Sequence, residues 1–497
     1  MATLSEERFH VWLRGLPPER LAALSAEYAR LAFEGGLAVV REGTARPIPP
    51  ALTPVVADGA RLAARAALAR GLLSGLVKAA RYLMTAAPEA ERGAVLAGLS
   101  PWERALCSST WRAGEAVAIA RADLFTGEDG ADRPLEMNAT IPAMQGYSDI
   151  AAQAFLRAVG RAAELSRDQV ARMSRENGSN SDDLRRSLLA HYARLGGAGR
   201  SPVMAIVARS GDPQCTELAA LCANFRAAGV DAQRCTPEQI RLDERGRATL
   251  LRHPVDLIYR HIFARRIDPE SDLGRIAREP EKHRLLNPVN SQLEMKSLFA
   301  ELSAAAAGEE RADAFGLFGD ERDAASAIPW TRRLAPGDAV GPSGERLGDL
   351  PAFVAENGGR LVIKRSWGYG GTSVVLGDDL ASPEGQARAR EVVGREGGDA
   401  VSWEEVVGHC AARGGYIVQE RVALSPSRHL VALPEGPKWQ SWYVDVSAYT
   451  NLGAEPAPAG AVCRGSAGRI VNIVGGGGLV PVIRDSVMEE LLAALGV

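Results

Sequence analysis

Two acids and an amide carry the first chemical signal: Asp123 in ARADLFT, and Glu136 and Asn138 in PLEMNAT, flank the polar turn GEDGADR. The alternation predicts the two strands of a hairpin. With Asp129-Gly130 at the tip, Asp123 falls opposite Glu136 and Arg121 opposite Asn138, and all four side chains share one face because strand residues two apart point to the same side. Facing carboxylates with Cβ atoms about 5 Å apart repel unless a proton or a cation sits between them. Oxygen-only ligands of this kind suit Mg²⁺, which keeps waters and takes its remaining ligands from phosphates. A solvated polar hairpin is the competing reading, and a bulge in the turn would break the register.

Lysine is the second signal, because only five of the 58 basic residues are lysine: Lys78, Lys282, Lys296, Lys364 and Lys438. A site that needs a compact ammonium cannot accept the guanidinium fork instead. Lys364 closes the strand-like run LVIKR, and Gly368, Gly370 and Gly371 follow in a tight loop before TSVVLG. Glycines let backbone N–H groups approach phosphate oxygens, and the lysine adds a point charge for the same anion. The loop matches neither the P-loop pattern nor a strand–turn–helix G-x-G-x-x-G, and taken alone it also reads as an ordinary turn. Further on, YIVQERV offers an apolar strand where backbone groups suit an adenine edge and Glu420 a ribose hydroxyl. By itself that segment, with Gln419 and Glu420, reads equally as a half-exposed strand.

The elements that must position these residues follow from periodicity. Residues 1–115 read as helices, with Ala and Leu at three- and four-residue spacing, and no chemistry is visible there. After the hairpin, a helical stretch runs from about Ile150 to Arg175, and ENGSNSDD (176–183) reads as a linker before another helix. Residues 202–260 alternate strand and helix patterns, as a small parallel-sheet domain does. Lys296 then falls on a helix, and the end of the chain is strand-rich.

Composition bounds the function. At 497 residues and 46% apolar, the chain is long enough for several packed lobes. A net charge of −3 and a pI near 6.3 give no basic field, so neither nucleic acid nor an anionic membrane is a favoured partner. Cys107, Cys215, Cys222, Cys235, Cys410 and Cys463 form no C-x-x-C pair, which suits free thiols in a reducing compartment. With no apolar run long enough to span a bilayer, a cytoplasmic location is the expectation.

The ordered set of RADLF, LEMNATIP, Lys296, VIKRSWGYGG, YIVQERV and CRGSAGRIVN resembles the circularly permuted ATP-grasp ligases, such as glutathionylspermidine synthetases and eukaryotic glutathione synthetases. The resemblance implies an α/β (α+β) class and a permuted ATP-grasp fold. In that reading residues 1–115 form a helical N-terminal region, 116–198 the metal-binding hairpin of the ATP-grasp core plus helices, 199–289 a preATP-grasp-like α/β domain, and 290–497 the nucleotide-binding lobes. It implies Mg²⁺ on Asp123, Glu136 and Asn138. It places ATP on Lys296, Lys364, Gly370, Gly371, Gln419, Glu420 and Val422. Arg121 and Arg464 would stabilise charge developing on the reacting group. Arg469 is close enough to take the place of Arg464, and Asn472 lies nearby.

The activity implied is ADP-forming ligation: a small-molecule or peptide carboxylate attacks the γ-phosphate, and an amine then attacks the acyl phosphate to give an amide. A small-molecule kinase and a non-catalytic nucleotide-binding protein are the alternatives, and a homodimer is left open. The chain departs from its relatives where many have proline after the second lysine and an acid before the glycines: Arg365 and Trp367 stand in that stretch. No general base is evident among the scattered histidines. Arg260, His261, Arg265 and Arg266, just after a strand end, read either as a patch for an anionic substrate group or as solvated basic surface.

Overall fold

The hairpin forms as two antiparallel strands, Ala120–Thr126 and Asp132–Asn138, in the computed structural model, which describes residues 3–112, 117–197, 201–308, 312–368, 370–371, 373–473 and 476–497. Arg121 pairs with Asn138 and Asp123 with Glu136, as the alternation predicts. Beyond Asp123 the register slips: Leu124 lies opposite Pro134, so Leu135 is the extra residue of a bulge. Proline cannot donate to the ladder and is tolerated where pairing is already irregular.

The hairpin is one edge of an antiparallel sheet otherwise built from the end of the chain. Ala120–Thr126 pairs with Gly436–Thr450, which pairs with Ala461–Ser466 and then Gly478–Val480, while Ser427–Leu433 folds back on the first half of the long strand. One face of the hairpin is apolar: Ala120, Ala122, Leu124 and Met137 join a core with Leu72, Leu73 and Leu76 of helix Gly59–Thr85. The opposite face carries the charged residues.

A second antiparallel sheet orders its strands Thr331–Arg333, Tyr416–Glu420, Leu361–Arg365 and Val374–Leu376. Helices Leu350–Glu356, Pro383–Val393 and Trp403–Arg413 cover one side, burying Leu361, Ile363 and Val418 with Val354, Val392 and Val406. Trp403–Arg413 starts with a complete capping box, Ser402 with Glu405. A third sheet is parallel, in the order Leu285–Leu286, Leu257–His261, Val203–Ala208, Asp231–Cys235, and apolar clusters bury both of its faces.

Several local expectations are corrected. Strands Ala38–Arg41, Thr44–Pro47 and Val55–Ala57 interrupt the N-terminal helices. The first two turn at Glu42 and Gly43, both at positive φ, and the third pairs in parallel with Val482–Arg484, a partner too distant in sequence to leave a local trace. The stretch 150–175 is two helices, Gln145–Ala162 and Arg167–Asn177, because Ser166 and Gln169 cap a new start. Residues 176–183 are no linker: the Asp149 carboxylate accepts from Ser179 Oγ at 2.7 Å, Asn180 N at 2.8 Å and Ser181 N at 2.9 Å. The N-terminal region also reaches the hairpin, since buried Arg65 pairs with Asp132 at 2.9 Å. No helix among the described residues is long and apolar enough to cross a membrane.

Asn287 stitches the hairpin to the parallel sheet. Its Oδ1 accepts from Ala118 N at 2.9 Å and Ile119 N at 3.2 Å, and its Nδ2 donates to Ile119 O at 2.6 Å and Ala139 O at 2.9 Å. Asn287→Ala leaves these buried groups unanswered and is expected to cost about 3 kcal/mol, read as a lower urea midpoint at unchanged slope. Arg346→Ala, at an exposed ion pair, serves as the control and should change stability by less than about 0.5 kcal/mol.

Candidate functional site

Two sheets face each other across a cavity of about 360 Å³. Strand alternation decides what enters it: Leu361 and Ile363 point into the helix-covered core, so Val362 and Lys364 point to the cavity, as do Val374, Leu376 and Gln419. From the opposing sheet come Asp123, Glu136, Asp445 and Arg464.

Lys296 bridges the gap. Helix Lys296–Ala306 has no side-chain N-cap; instead Lys296 N donates to Ser366 O at 3.0 Å and Ser297 N to Ser366 Oγ at 3.0 Å, which docks the helix start on the loop after Lys364. The ammonium then lies 2.9 Å from Glu136 Oε2 and 3.0 Å from Gly368 O. Lys364 donates to Gln419 Oε1 at 2.6 Å, and Gln419 Nε2 to Thr331 Oγ1 at 2.9 Å. The Gln419 side chain, fully buried, therefore aims the lysine.

The two facing acids stay ionised because the protein supplies their counter-charges. Burial opposes ionisation of Asp123, but Arg121 (Nε–Oδ1 2.7 Å) and Arg464 (Nη2–Oδ2 2.7 Å) outweigh it and hold the carboxyl well below the usual carboxylate range. Burial likewise opposes Glu136, and Lys296 more than compensates, keeping its pKa lowered despite Asp123. Burial pushes the Lys364 ammonium down to about 8, partly offset by Glu136. Arg464 is also gripped by Asp445, whose own carboxyl is raised by burial against the pull of Arg464. Among the described residues, five carboxylates and six lysines and arginines line the cavity, a balance that favours an anion.

Other expected residues fall as follows. Arg121 is buried outside the cavity lining and supports Asp123. Gly370 and Gly371 adopt left-handed φ of 69° and 71°, and a Cβ on Gly371 would meet Ile470 at 2.7 Å. Asn472 donates to Gly370 O. Glu420 and Val422 line the cavity beside Arg421. Both late arginines line it too: Arg464 faces Asp123, while Arg469 crosses to Asp378 at 2.5 Å, where Arg421 also pairs.

Arg260 and His261 form no anion patch. Their strand is covered on both faces, so Arg260 is fully buried and donates to the carbonyls of Asn287 (3.0 Å), Ile262 (2.5 Å) and Pro288 (3.2 Å), while burial lowers its pKa to about 10 and that of His261 to about 4. Arg265 lies over the rings of Phe263 and Trp367. Asp445 and Asp378 escaped the sequence reading. For Asp445 a signal existed: a single acid in the strand WYVDVSAYT, on the face opposite Val444 and Val446.

The donor set fits a hard divalent cation. Glu136 gives one oxygen to Lys296 and lines the cavity with Asp123, Asn138 lies outside that lining, and no histidine or cysteine is among the described residues lining the cavity. No cluster of three His, Cys, Asp or Glu that could hold a metal occurs among the described residues, so a cation here draws further ligands from elsewhere.

The fold is mixed α/β and resembles that of a glutathione synthetase-like protein. Among solved structures, the chain is similar to a glutathione synthetase-like effector from Globodera pallida in its apo form, with a TM-score of 0.57 over 94% of this chain and 98% of that one. Identity is 12%, so the likeness is one of fold. No protein-family profile and no curated protein sequence matches the chain.

Lys364 must be protonated to hold an anion, and its depressed pKa sets the window. Tripolyphosphate affinity, measured by calorimetry in buffers of different ionisation enthalpy, should fall as pH rises through about 8, with proton uptake on binding in that range. An affinity flat from pH 7 to 9.5 would exclude Lys364 from the contact.

Proposed function

We propose that this chain is an ADP-forming, ATP- and Mg²⁺-dependent carboxylate–amine ligase of permuted ATP-grasp architecture, joining a small-molecule or peptide carboxylate to an amine. The observation that carries the reading is the meeting of distant residues: Glu136 on the early hairpin contacts Lys296 at 2.9 Å, and Lys364 lines the same cavity. A site with two ammonium groups, a glycine loop and oxygen ligands suits a polyphosphate with its metal.

In this reading Lys296 and Lys364 hold the phosphates, and the loop at Gly370 and Gly371 lies over them. The strand end at Gln419, Glu420 and Val422 takes the base and ribose. Asp123, Glu136 and Asn138 would hold Mg²⁺, which supplies charge neutralisation at the transferring phosphoryl group. Arg464, facing the cavity, orients the substrate carboxylate, and Arg121 keeps Asp123 ionised for its ligand role.

The test is an ADP-release screen with Mg²⁺ over amino acids, short peptides and polyamines, with mass spectrometry of any hit for an amide product. Lys364→Met, which fills a similar volume without the charge, should lower ADP release at least about 100-fold. Turnover at the wild-type rate in that variant, or a stable phosphorylated product without an amide, would count against the ligase assignment.

A further inference from the structure

Asp123 already has three donors. Its Oδ1 accepts from Arg121 Nε at 2.7 Å, and its Oδ2 accepts from Arg121 Nη2 at 3.2 Å and Arg464 Nη2 at 2.7 Å. A carboxylate offers about four lone-pair positions, so a cation arriving at Asp123 competes with guanidinium. Oδ2 already accepts twice, so a cation that binds through Oδ2 displaces one arginine.

Arg121 is poorly placed to do so. It is 5% exposed, outside the cavity lining, and donates as well to the Pro142 and Ala143 carbonyls. Arg464 differs on each count. It lines the cavity and owns a second carboxylate directly across the strand pair: Asp445 accepts from its backbone N–H at 3.0 Å, from Nε at 3.0 Å and from Nη2. Releasing Arg464 from Asp123 leaves it paired with Asp445, whereas releasing Arg121 would strand a buried charge.

We propose that Asp445 is a positioning residue for the metal site: it takes over Arg464 when a divalent cation claims Asp123, so that this arginine stays in the cavity without competing for the metal ligand. The inference rests on the ligase reading above. Asp445 is 3% exposed, so its carboxylate is held against Arg464 away from solvent. Without the Asp445 carboxylate, Arg464 keeps Asp123 as its carboxylate partner and opposes the metal.

The experiment measures metal uptake with Mn²⁺ as the probe, free Mn²⁺ being followed by electron paramagnetic resonance at saturating ADP. Four proteins are compared: wild type, Asp445→Asn, Arg464→Met and the double variant. Asp445→Asn should raise the Mn²⁺ dissociation constant by about tenfold or more, Arg464→Met should not raise it, and the double variant should return to the Arg464→Met value because the competitor has gone. A packing defect at position 445 would persist without Arg464, so a double variant as weak as Asp445→Asn overturns the proposal. An Asp445→Asn protein that binds like wild type overturns it as well and leaves the ligase reading standing. Wild-type protein that takes up no metal with ADP overturns both.

Discussion

Lys296 is the residue on which the site is built, because it touches both sheets at once. Its backbone N–H and that of Ser297 dock on Ser366, its ammonium meets the Gly368 carbonyl, and the same ammonium answers Glu136 on the other side. A helix turns about 100° per residue, so a shift of one position would take this charge away from Glu136. One side chain, with the serine that receives its helix, thereby ties the hairpin to the loop after Lys364.

Around that bridge, four buried charges form an alternating chain. Arg121, Asp123, Arg464 and Asp445 alternate in sign through direct contacts, and Glu136 closes on Lys296. Leaving one member of a buried pair without any counter-charge typically costs about 3–5 kcal/mol, so each charge in the cluster holds its neighbour in place. Lys364 is the exception, held by a neutral amide rather than a carboxylate, and burial depresses its pKa accordingly. The cavity is thus arranged before any ligand arrives, with its cations already desolvated and oriented.

Much of this was legible in the sequence, and the rest was lost for identifiable reasons. The Asp123–Glu136 register followed from a two-residue period and a recognisable turn, both local. The bulge at Leu135 did not, because it depends on how Pro134 is accommodated against its neighbours. Lys296 and Lys364 stood out through the scarcity of lysine. Asp445 offered only a lone acid in an apolar strand, because the partner that explains it, Arg464, lies on another strand. Arg260 misled for the opposite reason: position after a strand suggested a binding edge, but coverage of the parallel sheet on both faces makes it a buried donor to carbonyls. The strands at 38–57 were missed because a neighbouring helical period masked them, and one of them pairs only with Val482–Arg484.

That last pairing and its companion, the hairpin against Gly436–Thr450, have a consequence for how the chain is made. During synthesis the hairpin leaves the ribosome long before the strand that will cover its edge, and Val55–Ala57 waits longer still. Closing such long loops is entropically slow, and an uncovered strand edge invites pairing with other chains. Nascent protein therefore passes through a stage in which its earliest-made strands lack the partners that emerge last.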